Sequence, residues 1–156
     1  MIMKGLGTAL VTPFTEDGQI DFQSLSILIE HQIAGGTDYL VLLGTTSEAP
    51  TITHKEQDEI IAYAVKQVAG RIPLVLGIGG NSTAVVVERI NELKDTLATH
   101  FAGILSVTPY YNKATQNGLI KMFETIADNS TKPLILYNVP SRTGVNILPS
   151  TYAKLA

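Results

Sequence analysis

The run Tyr39-Leu40-Val41-Leu42-Leu43, followed at once by Gly44-Thr45-Thr46-Ser47-Glu48, sets the reading of this chain. An unbroken apolar stretch without polar alternation describes a parallel strand covered on both faces. The polar, glycine-led segment after it reads as a strand-to-helix loop. Similar apolar runs lie on either side, at Leu6 to Val11, Leu74 to Gly77, Ile104 to Val107 and Leu134 to Tyr137. Counted from Leu6, Tyr39, Pro73, Gly103 and Pro133, they start about 30 to 34 residues apart, the length of one strand-plus-helix unit. Between them run helical stripes. Phe22, Leu25, Ile29 and Ile33 form the first, stopped by Gly35-Gly36, and Glu56, Ile60, Ala64 and Val68 the second, stopped by Gly70. Thr83 is positioned to cap a third helix carrying Val86, Ile90, Leu93 and Leu97, and Leu119, Phe123 and Ile126 mark a fourth. Leu148-Pro149-Ser150 opens a fifth, with Pro149 tolerated in its first turn.

Five strands alternating with helices imply a parallel α/β sheet, either doubly wound or part of a (β/α)8 barrel. A doubly wound dinucleotide binder carries G-x-G-x-x-G after its first strand. Here that position reads Thr12-Pro13-Phe14, which favours the barrel. A complete barrel takes roughly 250 residues. Residues 1–156 are therefore expected to be the N-terminal portion of a single (β/α)8 barrel domain, covering about the first five strands and four helices.

Composition narrows the function. A chain that is 45% hydrophobic is not a disordered one, and a formal charge of −3 lacks the basic face of a nucleic-acid binder. With no cysteine there is no disulfide framework, thiolate catalysis or cysteine-bound zinc, and the composition fits a reducing cytosol. The apolar runs of about five to seven residues fall far short of the roughly 20 that cross a bilayer. Met1-Ile2-Met3-Lys4-Gly5 lacks the charged-then-apolar pattern of a secretory signal.

In a barrel the chemistry sits where strands run into helices. Thr45 and Thr46 offer hydroxyls and backbone N–H groups to a small acceptor such as a carboxylate, or form a turn that caps the next helix. Gly77 to Asn81 could cradle a phosphate but also reads as a tight turn. Tyr111 and Tyr137 fall at the ends of different strands. With Thr45 they could pass a proton through a chain of hydroxyls, or their rings could serve as wall. Arg142 suits bidentate binding of a carboxylate, or a surface ion pair. His31, His54 and His100 lie on or beside helices with no histidine four residues on, so no metal site is expected. No cofactor motif is expected either.

Three loops carry a resemblance. Gly-Thr-Thr-Ser-Glu at 44–48, Val-Thr-Pro-Tyr-Tyr-Asn at 107–112 and Leu-Tyr-Asn-Val-Pro-Ser-Arg-Thr-Gly at 136–144 resemble the dihydrodipicolinate synthase (4-hydroxy-tetrahydrodipicolinate synthase) family. Ala-Leu-Val-Thr-Pro-Phe at 9–14 and Gly-Gly-Asn-Ser-Thr at 79–83 agree. The resemblance implies a (β/α)8 class I aldolase-type enzyme of lysine synthesis, without cofactor. Such an enzyme condenses pyruvate with L-aspartate-4-semialdehyde through a lysine Schiff base. It implies Thr45, Tyr111 and Tyr137 as a proton relay, Tyr111 being lent across a tight dimer interface. It implies Thr46 at the pyruvate carboxylate, Arg142 at the semialdehyde carboxylate, a cytoplasmic homotetramer of tight dimers, and no nucleic-acid or membrane partner.

Three departures follow from the same comparison. The Schiff-base lysine is implied at the end of strand six, and none of the eight lysines here ends a predicted strand, so this chain alone is expected not to form the imine. The family usually has glycine at Ser47, where a side chain is expected to crowd the turn or disturb its backbone angles. An effector-lysine site is implied at Ala49, His54, Asn81, Val85 and Tyr110. Val85 replaces the acidic residue of lysine-sensitive members, so weak or absent inhibition is expected. The rivals are N-acetylneuraminate lyase and the keto-deoxy-sugar aldolases, which usually lack Ser-Arg-Thr-Gly at 141–144, and a non-catalytic half-barrel.

Overall fold

The computed structural model describes residues 3–156. Met1 and Ile2, which open the segment read above as lacking a signal pattern, lie outside the described residues. The chain is built from two compact units, Met1–Gly77 and Ile78–Ala156.

In the first unit, strands β1 (Gly7–Ala9), β2 (Tyr39–Leu42) and β3 (Leu74–Gly77) pair in parallel. Thr8 faces Leu40 and Val41 faces Val75. Leu40, Leu42, Leu74, Val75 and Leu76 are buried, as an unbroken apolar run requires. Helix α1 (Phe22–Ala34) starts because the Asp21 carboxylate accepts the Ser24 N–H at 2.9 Å, and it buries Leu25 and Ile29. Helix α2 (His54–Val68) has a reciprocal start. Thr53 Oγ1 accepts the Glu56 N–H, and the Glu56 carboxylate accepts the Thr53 N–H at 2.8 Å. It buries Ile60, Ile61, Ala64 and Val68. Where α1 and α2 pack, the Phe22 and Tyr63 rings lie 4.9 Å apart.

The last turn of α1 is tied by an ion pair. Arg71 Nη1 and Nη2 donate to the two Glu30 carboxylate oxygens at 2.8 and 2.5 Å, and Gln67 Nε2 donates to the same carboxylate. Arg71, then Gln67, hold the Glu30 carboxyl down at about 2, from an ordinary 4.5. A carboxyl lowered on folding adds stability above its unfolded value and loses it as pH falls toward the folded value. The pair's contribution should therefore be intact above pH 4.5 and fade between 4.5 and about 2. Acid melts of the chain and its Arg71→Ala variant should differ at pH 6 and converge near pH 2. Because the pair is exposed, the difference should be small.

In the second unit, β4 (Gly103–Val107) and β5 (Leu134–Tyr137) pair in parallel, with Val107 opposite Tyr137. Helix α5 (Gln116–Asp128) is capped by Thr115 and buries Leu119, Met122, Phe123 and Ile126. Its Gln116 amide reaches α7 (Pro149–Leu155), donating to the Asn146 carbonyl and accepting from Leu148 N–H and Thr151 Oγ1. The expected third helix is two, α3 (Thr83–Glu92) and α4 (Lys94–His100), broken at Leu93. Its N-cap is Ser82, with Thr83 the first helical residue, a correction of one position. A one-turn helix, α6 (Pro140–Thr143), occupies the segment expected to be loop after β5. Among the described residues, no helix is long and apolar enough to cross a membrane.

Candidate active site

The loop after β2 is a 3-10 turn over Thr45–Ser47. Two non-glycine residues in the left-handed region bracket it, Leu43 at φ 52° and Glu48 at φ 57°. Such a conformation costs a side-chain-bearing residue roughly 1–3 kcal/mol, so the surroundings must hold it. Gly77 provides the room, since a Cβ there would overlap the Leu43 carbonyl and stand 2.9 Å from Gly44 N. The turn does not cap α2; Thr53 does. Thr45 and Thr46 are exposed, and neither hydroxyl has a hydrogen bond among the described residues.

Ser47 corrects an expectation. It neither crowds the turn nor adopts a left-handed φ. The side chain is buried and donates from Oγ to the Leu10 carbonyl at 2.6 Å, while Thr12 Oγ1 donates to the Ser47 carbonyl at 2.9 Å. The hydroxyl supplies the donor for the Leu10 carbonyl, which no backbone N–H among the described residues reaches.

In the second unit Tyr137 ends β5 with its ring half-buried, and its carbonyl accepts the Thr108 N–H at 3.1 Å. Thr108 Oγ1 donates to Thr143 Oγ1 at 3.2 Å, and Thr143 in turn donates to the Val145 carbonyl at 3.0 Å. Both threonines are buried. The same residue, Thr108, thus braces the end of β5 and the turn that carries Arg142. That turn begins at Pro140 and ends at Gly144, whose φ of 68° suits glycine. Arg142 is exposed there.

Tyr111 sits in the loop after β4 at φ 71°, with 88% of its surface exposed, next to Lys113 at φ 49°. Asn112 between them anchors the loop by donating from Nδ2 to the Asn81 carbonyl at 2.6 Å. The side chains of Tyr111, Tyr137 and Arg142 have no hydrogen bond or ion pair among the described residues. Among the described residues Arg142 thus has no ion pair. No group of histidine or acidic residues among the described residues could hold a metal. Thr12, Thr108 and Thr143 were not foreseen as braces. Their signal in the sequence was a threonine beside proline or glycine, after a strand for Thr12 and Thr108 and at the end of the Pro140–Thr143 turn for Thr143.

The fold is that of the first five strands of a (β/α)8 barrel. The chain superposes on the crystal structure of dihydrodipicolinate synthase from Aquifex aeolicus with a TM-score of 0.90, at 44% identity, over 98% of this chain and 51% of that one. On the Acinetobacter baumannii enzyme, described as chloride-inhibited and complexed with pyruvate, the TM-score is 0.93 at 41% identity, over 99% and 52%. The chain belongs to the dihydrodipicolinate synthetase family, whose model matches residues 2–156, a family of pyruvate-dependent class I aldolases. It is 49% identical over 154 residues to the 4-hydroxy-tetrahydrodipicolinate synthase of Parabacteroides distasonis, covering 99% of this chain and 51% of that protein. The chain spans about half the length of the curated relatives it matches.

Proposed function

We propose that this chain supplies the relay and anion-binding half of a 4-hydroxy-tetrahydrodipicolinate synthase. The observation that carries the reading is family membership over residues 2–156, joined to five polar side chains, Thr45, Thr46, Tyr111, Tyr137 and Arg142, that have no side-chain partner among the described residues. The reaction condenses a lysine amine with the pyruvate carbonyl, releasing water. The imine then loses a methyl proton to become an enamine, whose carbon attacks the aldehyde of L-aspartate-4-semialdehyde. Each step moves a proton, the work assigned to Tyr137, Thr45 and Tyr111. Thr46 holds the pyruvate carboxylate, and Arg142 receives the carboxylate of the semialdehyde. In this reading the amine is supplied by the other half of a full-length barrel, and no strand among the described residues ends in lysine.

The exposed phenol of Tyr111 supports its being lent to a partner subunit in a tight dimer, two of which form a tetramer. A cytoplasmic site of action belongs to the same reading, with small-molecule substrates and no nucleic-acid or membrane partner. The residue domain is read as 1–156, the N-terminal portion of one (β/α)8 barrel.

Borohydride trapping tests this. The chain joined to the remaining half of the Parabacteroides distasonis relative should be covalently labelled by pyruvate, and turnover should require aspartate semialdehyde. The chain alone should gain no label. A joined protein that traps pyruvate but turns over only N-acetylmannosamine would replace the reading with a sugar-acid aldolase.

A further inference from the structure

Strand β1 ends its ladder where Leu10 N–H meets the Val41 carbonyl at 3.0 Å. Beyond that point β2 departs, because Leu43 enters the left-handed region and the chain turns into Thr45–Ser47. No backbone N–H among the described residues reaches the Leu10 carbonyl, whose donor is Ser47 Oγ. Two residues on, Thr12 Oγ1 returns a bond to the Ser47 carbonyl. Leu10, Thr12 and Ser47 are all buried, at 4%, 8% and 3% exposure, so water cannot substitute for either partner. The two bonds run in opposite senses between segments 35 and 37 residues apart. They grip both the side chain and the backbone of the residue that closes the turn. The 3-10 turn that follows, Ala49–Thr51, begins directly after Glu48 and has no buried residue.

We infer that Ser47 and Thr12 are positioning residues whose paired hydroxyl bonds lock the Thr45–Thr46 turn against the end of β1. The lock substitutes side-chain bonds for the strand ladder that the left-handed Leu43 has ended. It fixes the two threonines before any ligand arrives, which is what a carboxylate-holding pair requires. The inference deepens the reading proposed above for Thr45 and Thr46. The lock itself is a property of the chain that can be measured without substrate.

Amide hydrogen exchange on the 156-residue chain, with a urea melt for global stability, tests it. In the parent chain the Ser47 and Glu48 amides should exchange at least tenfold more slowly than the Thr51 and Ile52 amides. Both pairs close 3-10 turns, but the first is gripped by two buried hydroxyl bonds, and the second only by the part-buried Gln57 amide, which donates to the Ala49 and Ile52 carbonyls. Ser47→Ala and Thr12→Val should each speed exchange at 47 and 48 by about tenfold beyond any change in the β2 amides, and should shift the Thr45 and Thr46 resonances. Thr12→Ser, which keeps the hydroxyl, should restore slow exchange. Equal exchange of the two turns in the parent chain would overturn the inference even if a variant fails to fold. So would acceleration spread evenly over β2 and the turn, or a Thr12→Ser variant as fast as Thr12→Val. Failure of pyruvate trapping in the joined protein would sink the aldolase reading and leave these exchange results standing.

Discussion

Alanine at position 77 is expected to cost the chain about 2–3 kcal/mol of stability and to disturb Thr45 and Thr46 without touching either. The added Cβ would overlap the Leu43 carbonyl oxygen, lie 2.6 Å from its carbon, and lie 2.9 Å from Gly44 N. These are backbone atoms, so no rotamer change relieves the overlap. Either β3 moves off β2, breaking the pairing of Leu42 with Leu76, or the left-handed Leu43 gives way. Gly→Ala ordinarily gains about 0.4–1 kcal/mol by restricting the unfolded chain, too little to offset backbone overlap. The melting temperature of Gly77→Ala should fall by roughly 5–10 °C. A midpoint within 2 °C or so of the parent would mean the strands give way freely. Fast amide exchange at Ser47 and Glu48 in the folded variant would trace the displacement into the threonine turn.

The second large effect concerns rate. In the joined barrel described above, Tyr137→Phe should lower kcat by about 10²–10³-fold and change the pyruvate KM by no more than a few-fold. The structure makes this a clean substitution. Tyr137 is held through its backbone, by pairing with Val107 and by the Thr108 N–H, and its hydroxyl has no protein partner among the described residues. Removing the hydroxyl therefore orphans nothing, and thermal stability should stay within about 0.5 kcal/mol of the parent. Steady-state kinetics with both substrates measure the effect. An unchanged kcat would remove Tyr137 from the proton relay.

The strands were legible because parallel strands covered on both faces leave continuous apolar runs, and all five runs became strands. The break at Leu93 was not. Val86, Ile90, Leu93 and Leu97 are all buried, so one stripe spans two helices, and a stripe records which face is covered, not whether the backbone runs straight. The one-turn helix at Pro140–Thr143 is too short to have a period, although proline at its first position and glycine just past its end mark both limits. For the candidate site, the sequence located Thr45, Thr46, Tyr111, Tyr137 and Arg142 at strand ends. It did not reveal the braces. Ser47 looked like an intrusion because side-chain size is visible in a sequence, whereas the buried carbonyl of Leu10 that needs a donor is visible only in the fold.

Four left-handed residues, Leu43, Glu48, Tyr111 and Lys113, stand in the two loops that bear Thr45, Thr46 and Tyr111, and none of them is glycine. Glycine at the exposed Glu48, Tyr111 or Lys113 would relax the backbone, so a screen that ranks variants by heat resistance alone would favour it there, whereas the buried Leu43 would lose more in packing than it gains. Tyr111, solvent-facing and without a side-chain partner among the described residues, would be among the first to go. Thermostabilising this chain while keeping the two loops intact therefore means withholding these positions from the library and seeking gains on the outer helices.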